Sequence, residues 1–235
     1  MSLRVDLEDK YVTTANGHRL RYLEKGSGNP LILVHGLGIT MSADQWINNI
    51  DALSKVAHVY AVDLPGWGYS PLPAEGYSFE MWAETLSGFC SALGLSSVDV
   101  LGQSLGGWIS CYFAYAHPEL VRRVILCVNA GLNPAVRGLT GDFTMPDRDG
   151  VRTNSKNLWR GDVDVTDELV EEIYQRLQFD GRESAFRAIR EYVGNQKTRD
   201  DYSPRNLLPS MKMPVLMLWG DSATPISLKY GLEQY

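Results

Sequence analysis

Apolar positions along the 235-residue chain switch between two periods, and the switches mark the elements. Residues 10–25 alternate apolar and polar on either side of Ala15-Asn16-Gly17, which predicts a hairpin because Asn-Gly favours the tight turns that match strand twist. Pro30-Leu31-Ile32-Leu33-Val34 is apolar without alternation, as in a strand buried on both faces. A helical period fills 43–55, and His58-Val59-Tyr60-Ala61-Val62-Asp63 follows as a strand. A second helix is predicted over 78–93, with Ser78 as N-cap and Glu80 and Glu84 near its positive end. A strand over 96–102, a helix from Leu105 to Tyr115 and a strand over 121–128 come next. Strands alternating with helices in this way imply a mostly parallel sheet covered by helices on both faces.

After residue 130 the pattern breaks. Residues 133–160 carry Pro134, Gly138, Gly141, Pro146 and Gly150 among scattered charges. Helical periods resume at 166–178 and 182–195, Pro204 and Pro209 punctuate the return, and Pro214-Val215-Leu216-Met217-Leu218-Trp219-Gly220 rejoins the sheet. The chain thus divides into a first core part (1–130), a helical lid or cap insertion (131–208) and a second core part (209–235). The insertion is expected over the C-terminal edge of the sheet, where open α/β sheets bind ligands.

Composition narrows the class. The 44% hydrophobic and 21% charged residues are ordinary for a globular protein. A net charge of −6, with no basic stripe, argues against a nucleic-acid or anionic-membrane partner and leaves a small-molecule substrate. No apolar run is long enough to span a bilayer. Cys90, Cys111 and Cys127 lie in apolar stretches without metal or disulfide spacing, so buried free thiols and a cytoplasmic location are expected. No metal-ligand cluster and no phosphate- or dinucleotide-binding glycine pattern is present, so no cofactor is expected.

The candidate chemistry sits at Gly102-Gln103-Ser104-Leu105-Gly106-Gly107. A Gly-x-Ser-x-Gly between a strand and a helix is a nucleophile elbow: the turn is so sharp that small residues are needed two positions either side of the serine. Ser104 is the candidate nucleophile, and its hydroxyl stands at the positive end of the following helix. Acyl transfer also needs oxyanion donors. The backbone N–H groups of Leu105 and of Leu37, in Val34-His35-Gly36-Leu37-Gly38, are assigned that role. Gly36, Gln103 and the insertion residue Trp159 are candidate substrate contacts, although Trp159, like Tyr174, Phe179 and Met145, is read first as packing.

Three motifs together carry a resemblance. His35-Gly36-Leu37-Gly38, Asp63-Leu64-Pro65-Gly66-Trp67-Gly68-Tyr69-Ser70 and Gly102–Gly107 resemble the α/β-hydrolase superfamily, and the likeness runs over essentially the whole chain. It implies the α/β-hydrolase fold, a Ser104 nucleophile, a lid over 131–208 and a structural turn role for Asp63. The Gly-Trp-Gly turn, Asn48–Leu53 and Val165–Leu169 are similar to the branch of meta-cleavage product hydrolases, which cut a carbon–carbon bond in dienoic keto acids. Two positions depart from that branch: Gln103 stands where it has Asn, and Ile173 where it has a lid arginine for the substrate carboxylate. Gln175-Arg176 could replace that arginine only with the helix face rotated. These departures favour hydrolysis of a carboxylic ester, lactone or thioester, with C–C hydrolysis second and a non-catalytic small-ligand binder third.

The fold's triad runs Ser, then Asp or Glu, then His. Asp221 is the candidate acid, two residues before Ala223, where the resemblance places it; Asn129, after the 121–128 strand, cannot carry the charge. All four histidines, His18, His35, His58 and His117, precede the acid, and none is expected to reach Ser104. The sequence ends at Tyr235, before the family's last strand and C-terminal helix, so it reads as a hydrolase shortened at its C-terminus, with the 215–219 strand at an unpaired edge.

Overall fold

The computed structural model describes residues 7–73, 75–133, 142–160, 164–221 and 226–233. Seven strands form one sheet in the order β1-β2-β4-β3-β5-β6-β7. They are β1 (Lys10–Thr13), β2 (Arg19–Gly26), β3 (Pro30–Val34), β4 (His58–Val62), β5 (Val98–Gln103), β6 (Val121–Cys127) and β7 (Val215–Leu218). The β1–β2 and β2–β4 pairs are antiparallel, and every pair from β4 across to β7 is parallel. The mostly parallel sheet read from the apolar runs is therefore present, with the Asn-Gly hairpin at one end.

The order places the site. From β3 the chain steps to β4 on one side and then to β5 on the other. The crossovers from β3 to β4 and from β4 to β5 run in opposite directions, so the strand order reverses between β3 and β5, where such sheets open a crevice beyond the carboxyl ends. Val34 of β3 is in register with Gly102 of β5, which brings the loop after Val34 beside the elbow after Gln103.

Helices α2 (Phe79–Ala92) and α3 (Leu105–Ala116) cover one face. Their buried Phe79, Trp82, Leu86, Phe89, Trp108 and Phe113 pack on Ile32, Val34, Val62, Val100 and Leu126. On the other face, α1 (Ile47–Leu53) places Ile50 against Leu31, Leu33, Val59 and Leu101. The helix expected over 43–55 is two pieces: a 3-10 turn over Ala43–Trp46 capped by Ser42, then α1. Buried Ala43, Asp44 and Trp46 draw the first turn tight against the sheet, so the local period gives way to tertiary contacts.

Between β6 and β7 lie α4 (Arg148–Trp159), α5 (Asp167–Leu177), α6 (Arg182–Gly194), α7 (Gln196–Asp201) and α8 (Pro204–Leu207). Helix α4 was not expected in the broken 133–160 stretch. It is mostly polar and buries a narrow stripe, Val151, Ser155 and Trp159, spaced four apart on one face. The Asp147 side chain caps it, accepting from the Gly150 N–H at 2.8 Å. Val151, Trp159, Val170, Ile173, Leu177 and Phe186 form a small apolar cluster of their own with Ile39, whereas Ala185, Ile189 and Val193 of α6 join the main core.

β7 pairs with β6, and no second neighbour pairs with it among the described residues, which matches the edge position expected for it. Leu216 and Leu218 are exposed on its open face. No helix among the described residues is long and apolar enough to cross a membrane.

Candidate active site

Ser104 links β5 to α3 at φ 55°, ψ −116°, a conformation that costs a non-glycine residue about 1–3 kcal/mol. Both flanking glycines are sterically required. A Cβ on Gly102 would lie 2.1 Å from the Gly106 carbonyl oxygen, and one on Gly106 would lie 2.3 Å from that of Val34. Backbone bonds from the end of β6 and the turn after it hold the strained turn: the Ser104 N–H donates to Cys127 O at 2.9 Å, and the Ala130 N–H donates to Ser104 O at 3.0 Å. Asn129 caps the short 3-10 turn Ala130–Leu132, its Oδ1 accepting from the Gly131 N–H at 2.9 Å. The sequence singled out Ser104 but not this clamp, whose one local trace is the Asn-Ala-Gly run after an apolar strand.

The loop after β3, expected to supply an oxyanion donor, lies beside the elbow. Leu105 is the first residue of α3, so its N–H has no partner within the helix. The Leu37 N–H has no protein acceptor among the described residues, while the Leu37 carbonyl accepts from Trp67 Nε1 at 3.2 Å. His35 is buried and holds the loop rather than Ser104. Its Nδ1 contacts Gly36 O at 2.9 Å, and its Nε2 accepts from the Leu64 N–H at 3.2 Å. Burial pushes its pKa below the ordinary value of 6.5, so the ring is the neutral Nδ1–H tautomer that both contacts require.

Gly36 has both backbone groups committed, its carbonyl to His35 and its N–H to Gln45 Oε1 at 2.9 Å. What it offers is close approach: a Cβ there would stand 2.7 Å from Gln103 Oε1. Gln103 is half-buried and lines an open cavity of about 490 Å³ with Gly38, Met41, Asn157 and Arg160. A second cavity, about 390 Å³, lies between α4, α5 and the 40–47 segment and is lined by Gln45, Leu158, Trp159, Ile173 and Arg176. Trp159 is buried in the small insertion cluster, and its Nε1 has no hydrogen-bond partner there.

Arg176 does not stand in for a substrate-binding arginine. Its Nη1 donates to Asp44 Oδ2 at 2.7 Å and to Ser42 Oγ at 3.1 Å, tying α5 to the 3-10 turn below it. Asp44 also accepts from the fully buried Arg21 at 2.7 Å. Asp63 is a turn residue, as expected: its carboxylate accepts from the Ala43 N–H at 2.6 Å and the Tyr69 N–H at 2.8 Å. Arg182 reaches from α6 to donate to the carbonyls of Gly66 and Gly68, and burial lowers its pKa to about 10.

Among the described residues, the Ser104 hydroxyl has no hydrogen-bond partner. His58 is bonded to Glu24 and Tyr60 at the start of β4, His117 to Glu84 at the far end of α3, and His18 sits at the hairpin. Asp221 is exposed in the turn after β7, at the carboxyl edge of the sheet; Ala223 lies outside the described residues. No group of three His, Cys, Asp or Glu among the described residues is placed to hold a metal ion.

Comparison with known proteins bears on the family and the fold. A 2-hydroxymuconate semialdehyde hydrolase of Pseudomonas sp. (strain CF600) is 32% identical over 179 residues, 74% of this chain and 63% of that protein. The chain therefore spans less than two thirds of that relative's length. A 2-hydroxy-6-oxononadienedioate/2-hydroxy-6-oxononatrienedioate hydrolase of Dechloromonas aromatica (strain RCB) is 30% identical over 233 residues, 92% of this chain and 78% of that protein. In fold, the crystal structure of a meta-cleavage product hydrolase from Pseudomonas fluorescens IP01 superposes with a TM-score of 0.74 at 23% identity, covering 96% of this chain and 84% of that one. The family model for the alpha/beta hydrolase fold matches residues 29–235, and the chain belongs to that family.

Proposed function

We propose that this chain carries the nucleophile and oxyanion hole of a serine hydrolase that cleaves a carbon–carbon bond in a dienoic keto acid. The observation that carries the hydrolase reading is the strained Ser104 beside the unpartnered Leu37 N–H and the helix-terminal Leu105 N–H. A protein that only bound a ligand would have no use for a serine held at φ 55°. The substrate class is supported by the relatives, two of them named for hydrolysis of muconate or nonadienedioate compounds. This choice reverses the preference for esters that Gln103 and Ile173 suggested from sequence.

In this reading the Ser104 oxygen attacks the keto carbonyl and its proton passes to a general base, a role that none of the described histidines fills. The oxyanion rests on the Leu37 and Leu105 N–H groups. The bond to the dienoate carbon breaks, that carbon takes up a proton, and water releases the second acid from Ser104. Asp221 is the proposed acid that would orient the base.

Ester hydrolysis is the second reading, and Arg176 favours it. With its guanidinium bonded to Asp44 and Ser42, Arg176 does not offer a substrate carboxylate the charge-assisted anchor, worth about 1.5–3 kcal/mol, that a free arginine there would give. The test compares loss of absorbance of a 2-hydroxy-6-oxo-hexa-2,4-dienoate with release of p-nitrophenol from a short ester, each with Ser104→Ala alongside. With a general base supplied beside the chain, dienoate turnover that the substitution abolishes is expected. Ester turnover alone would move the assignment to the second reading, and no turnover above the variant would refute both.

A further inference from the structure

Arg199 of α7 is buried, yet among the described residues its hydrogen bonds go to backbone carbonyls and to no carboxylate. Its Nη2 donates to the carbonyls of Ala130, at 3.1 Å, and of Asn133, and its Nη1 donates to Val193 O at 3.1 Å. The guanidinium also lies over the Trp108 ring, 5.0 Å from its centre. Desolvating a cation on neutral carbonyls is costly. What the planar fork secures here is the placing of several chain segments at once, which a single ammonium could not do. Those segments are the turn after β6, the end of α6 and, through Trp108, the elbow helix α3.

Two of these contacts bear on Ser104. Its carbonyl accepts from the Ala130 N–H at 3.0 Å and from the Trp108 N–H at 3.2 Å. Arg199 holds both of those residues, Ala130 by its carbonyl and Trp108 by its ring. The residues after Arg199 complete the grip. Tyr202 O accepts from Trp108 Nε1 at 2.6 Å, and a Cβ on Gly131 would lie 2.7 Å from the Pro204 ring and from Trp108 Cδ1. The Ser104 carbonyl and the Leu105 N–H belong to one planar peptide unit, so fixing the oxygen fixes the direction of that N–H. Turning the unit over would carry Ser104 from ψ −116° to about +60°, into the allowed left-handed region, and would reverse the Leu105 N–H. The two bonds on the Ser104 oxygen oppose that relaxation.

We propose that Arg199 is a positioning residue for the oxyanion hole. By holding Ala130 and Trp108 it keeps two donors on the Ser104 carbonyl, and so keeps the Leu105 N–H of the same peptide unit turned toward the reacting atoms. The proposal rests on the reading of Ser104 as nucleophile and adds to it a control exerted from α7, near the end of the segment between β6 and β7.

The test follows amide exchange in the full ¹⁵N-labelled chain, wild type against Arg199→Ala. Protection of the Ala130 N–H should fall about tenfold to a hundredfold, as expected for loss of a charge-assisted bond, while the sheet amides of Leu33 and Leu101 change less than about threefold. Guanidinium at tens of millimolar should refill the vacated space and restore Ala130, and ammonium should not. Alongside, the rate at which a fluorophosphonate labels Ser104, with imidazole as added base, should drop about tenfold in the variant and recover with guanidinium.

A merely structural arginine would loosen all three amides together and show no recovery specific to guanidinium, and either result overturns the proposal. Unchanged labelling in a variant that has lost Ala130 protection overturns it as well. Should Arg199→Ala fail to fold, Arg199→Met keeps the packing of the stem and removes every donor. Full protection of Ala130 in that variant would overturn the brace. Exchange is read without chemistry, so a local, guanidinium-reversible loss in a chain whose Ser104 never labels would sink the hydrolase reading alone.

Discussion

Arg176→Met separates two roles that an insertion arginine could have. In the structure the guanidinium is about 95% buried, with one nitrogen on Asp44 at 2.7 Å and on Ser42 at 3.1 Å. Breaking a buried ion pair typically costs about 3–5 kcal/mol when it strands a charge. Asp44 is not stranded here, since it keeps the Arg21 guanidinium at 2.7 Å and the Ser42 hydroxyl at 3.0 Å. Methionine also refills much of the space left by the arginine stem. The expected loss is therefore about 2 kcal/mol, nearer the worth of one charge-assisted hydrogen bond.

Asp44→Ala should cost more, about 4 kcal/mol, because it removes a partner from both Arg176 and the fully buried Arg21. Urea unfolding of the two variants and of the double variant gives the coupling directly. The double variant should fall at least 1 kcal/mol short of the sum. A loss below about 0.5 kcal/mol in Arg176→Met, together with a raised KM for a carboxylate substrate, would refute the reasoning. That pattern would mean the side chain leaves Asp44 to bind substrate.

Three further substitutions probe the site's scaffold. Gly106→Ala puts a Cβ 2.3 and 2.4 Å from the carbonyl oxygens of Val34 and His35, neither of which can rotate away, so about 3 kcal/mol of stability and about a hundredfold in kcat should be lost. Gly107→Ala, whose nearest atom is at 3.0 Å, should cost clearly less in the same urea assay. Because burial holds His35 neutral, unfolding takes up a proton below pH 6.5, and stability should fall as pH drops from 6.5 toward the lowered folded value, by up to about 1.4 kcal/mol per pH unit. His35→Gln should remove that component of the slope in thermal melts while lowering the plateau.

What could be read from the sequence was local or strongly periodic. The β3 run is apolar because both faces are covered, and the elbow is legible because two glycines and a serine must sit at fixed offsets around one turn. Helix α4 was lost because its buried stripe is one residue wide and includes Ser155. The 43–46 turn was misread as helix because the contacts that tighten it come from β2 and the Asp63 turn, through Arg21 and Asp63 bonds to residues about twenty positions away. Gln45 left no signal: its partners lie 9 and 58 residues away, and a glutamine in a helical period looks like any solvent-facing residue.

The same distinction bears on how the two departures from the meta-cleavage pattern should be weighed. Taken singly, Gln103 for Asn and Ile173 for Arg each remove a recognised polar contact. In the structure Gln103 is one half of a pair, and its longer side chain is matched by Gln45 across the elbow. Had the asparagine simply been lost, nothing would require its replacement to reach another amide whose orientation is set by a backbone N–H. Ile173 has no such compensation: it is buried in the insertion's own apolar cluster, and the guanidinium three residues on belongs to Asp44. The polar contact beside Ser104 is thus retained in altered form, while an ion-pair anchor from α5 is absent among the described residues. A substrate suited to both features would carry its extra acceptor close to the scissile carbonyl rather than at the far end of a long diacid. Short dienoates should therefore be turned over better than long dicarboxylic ones.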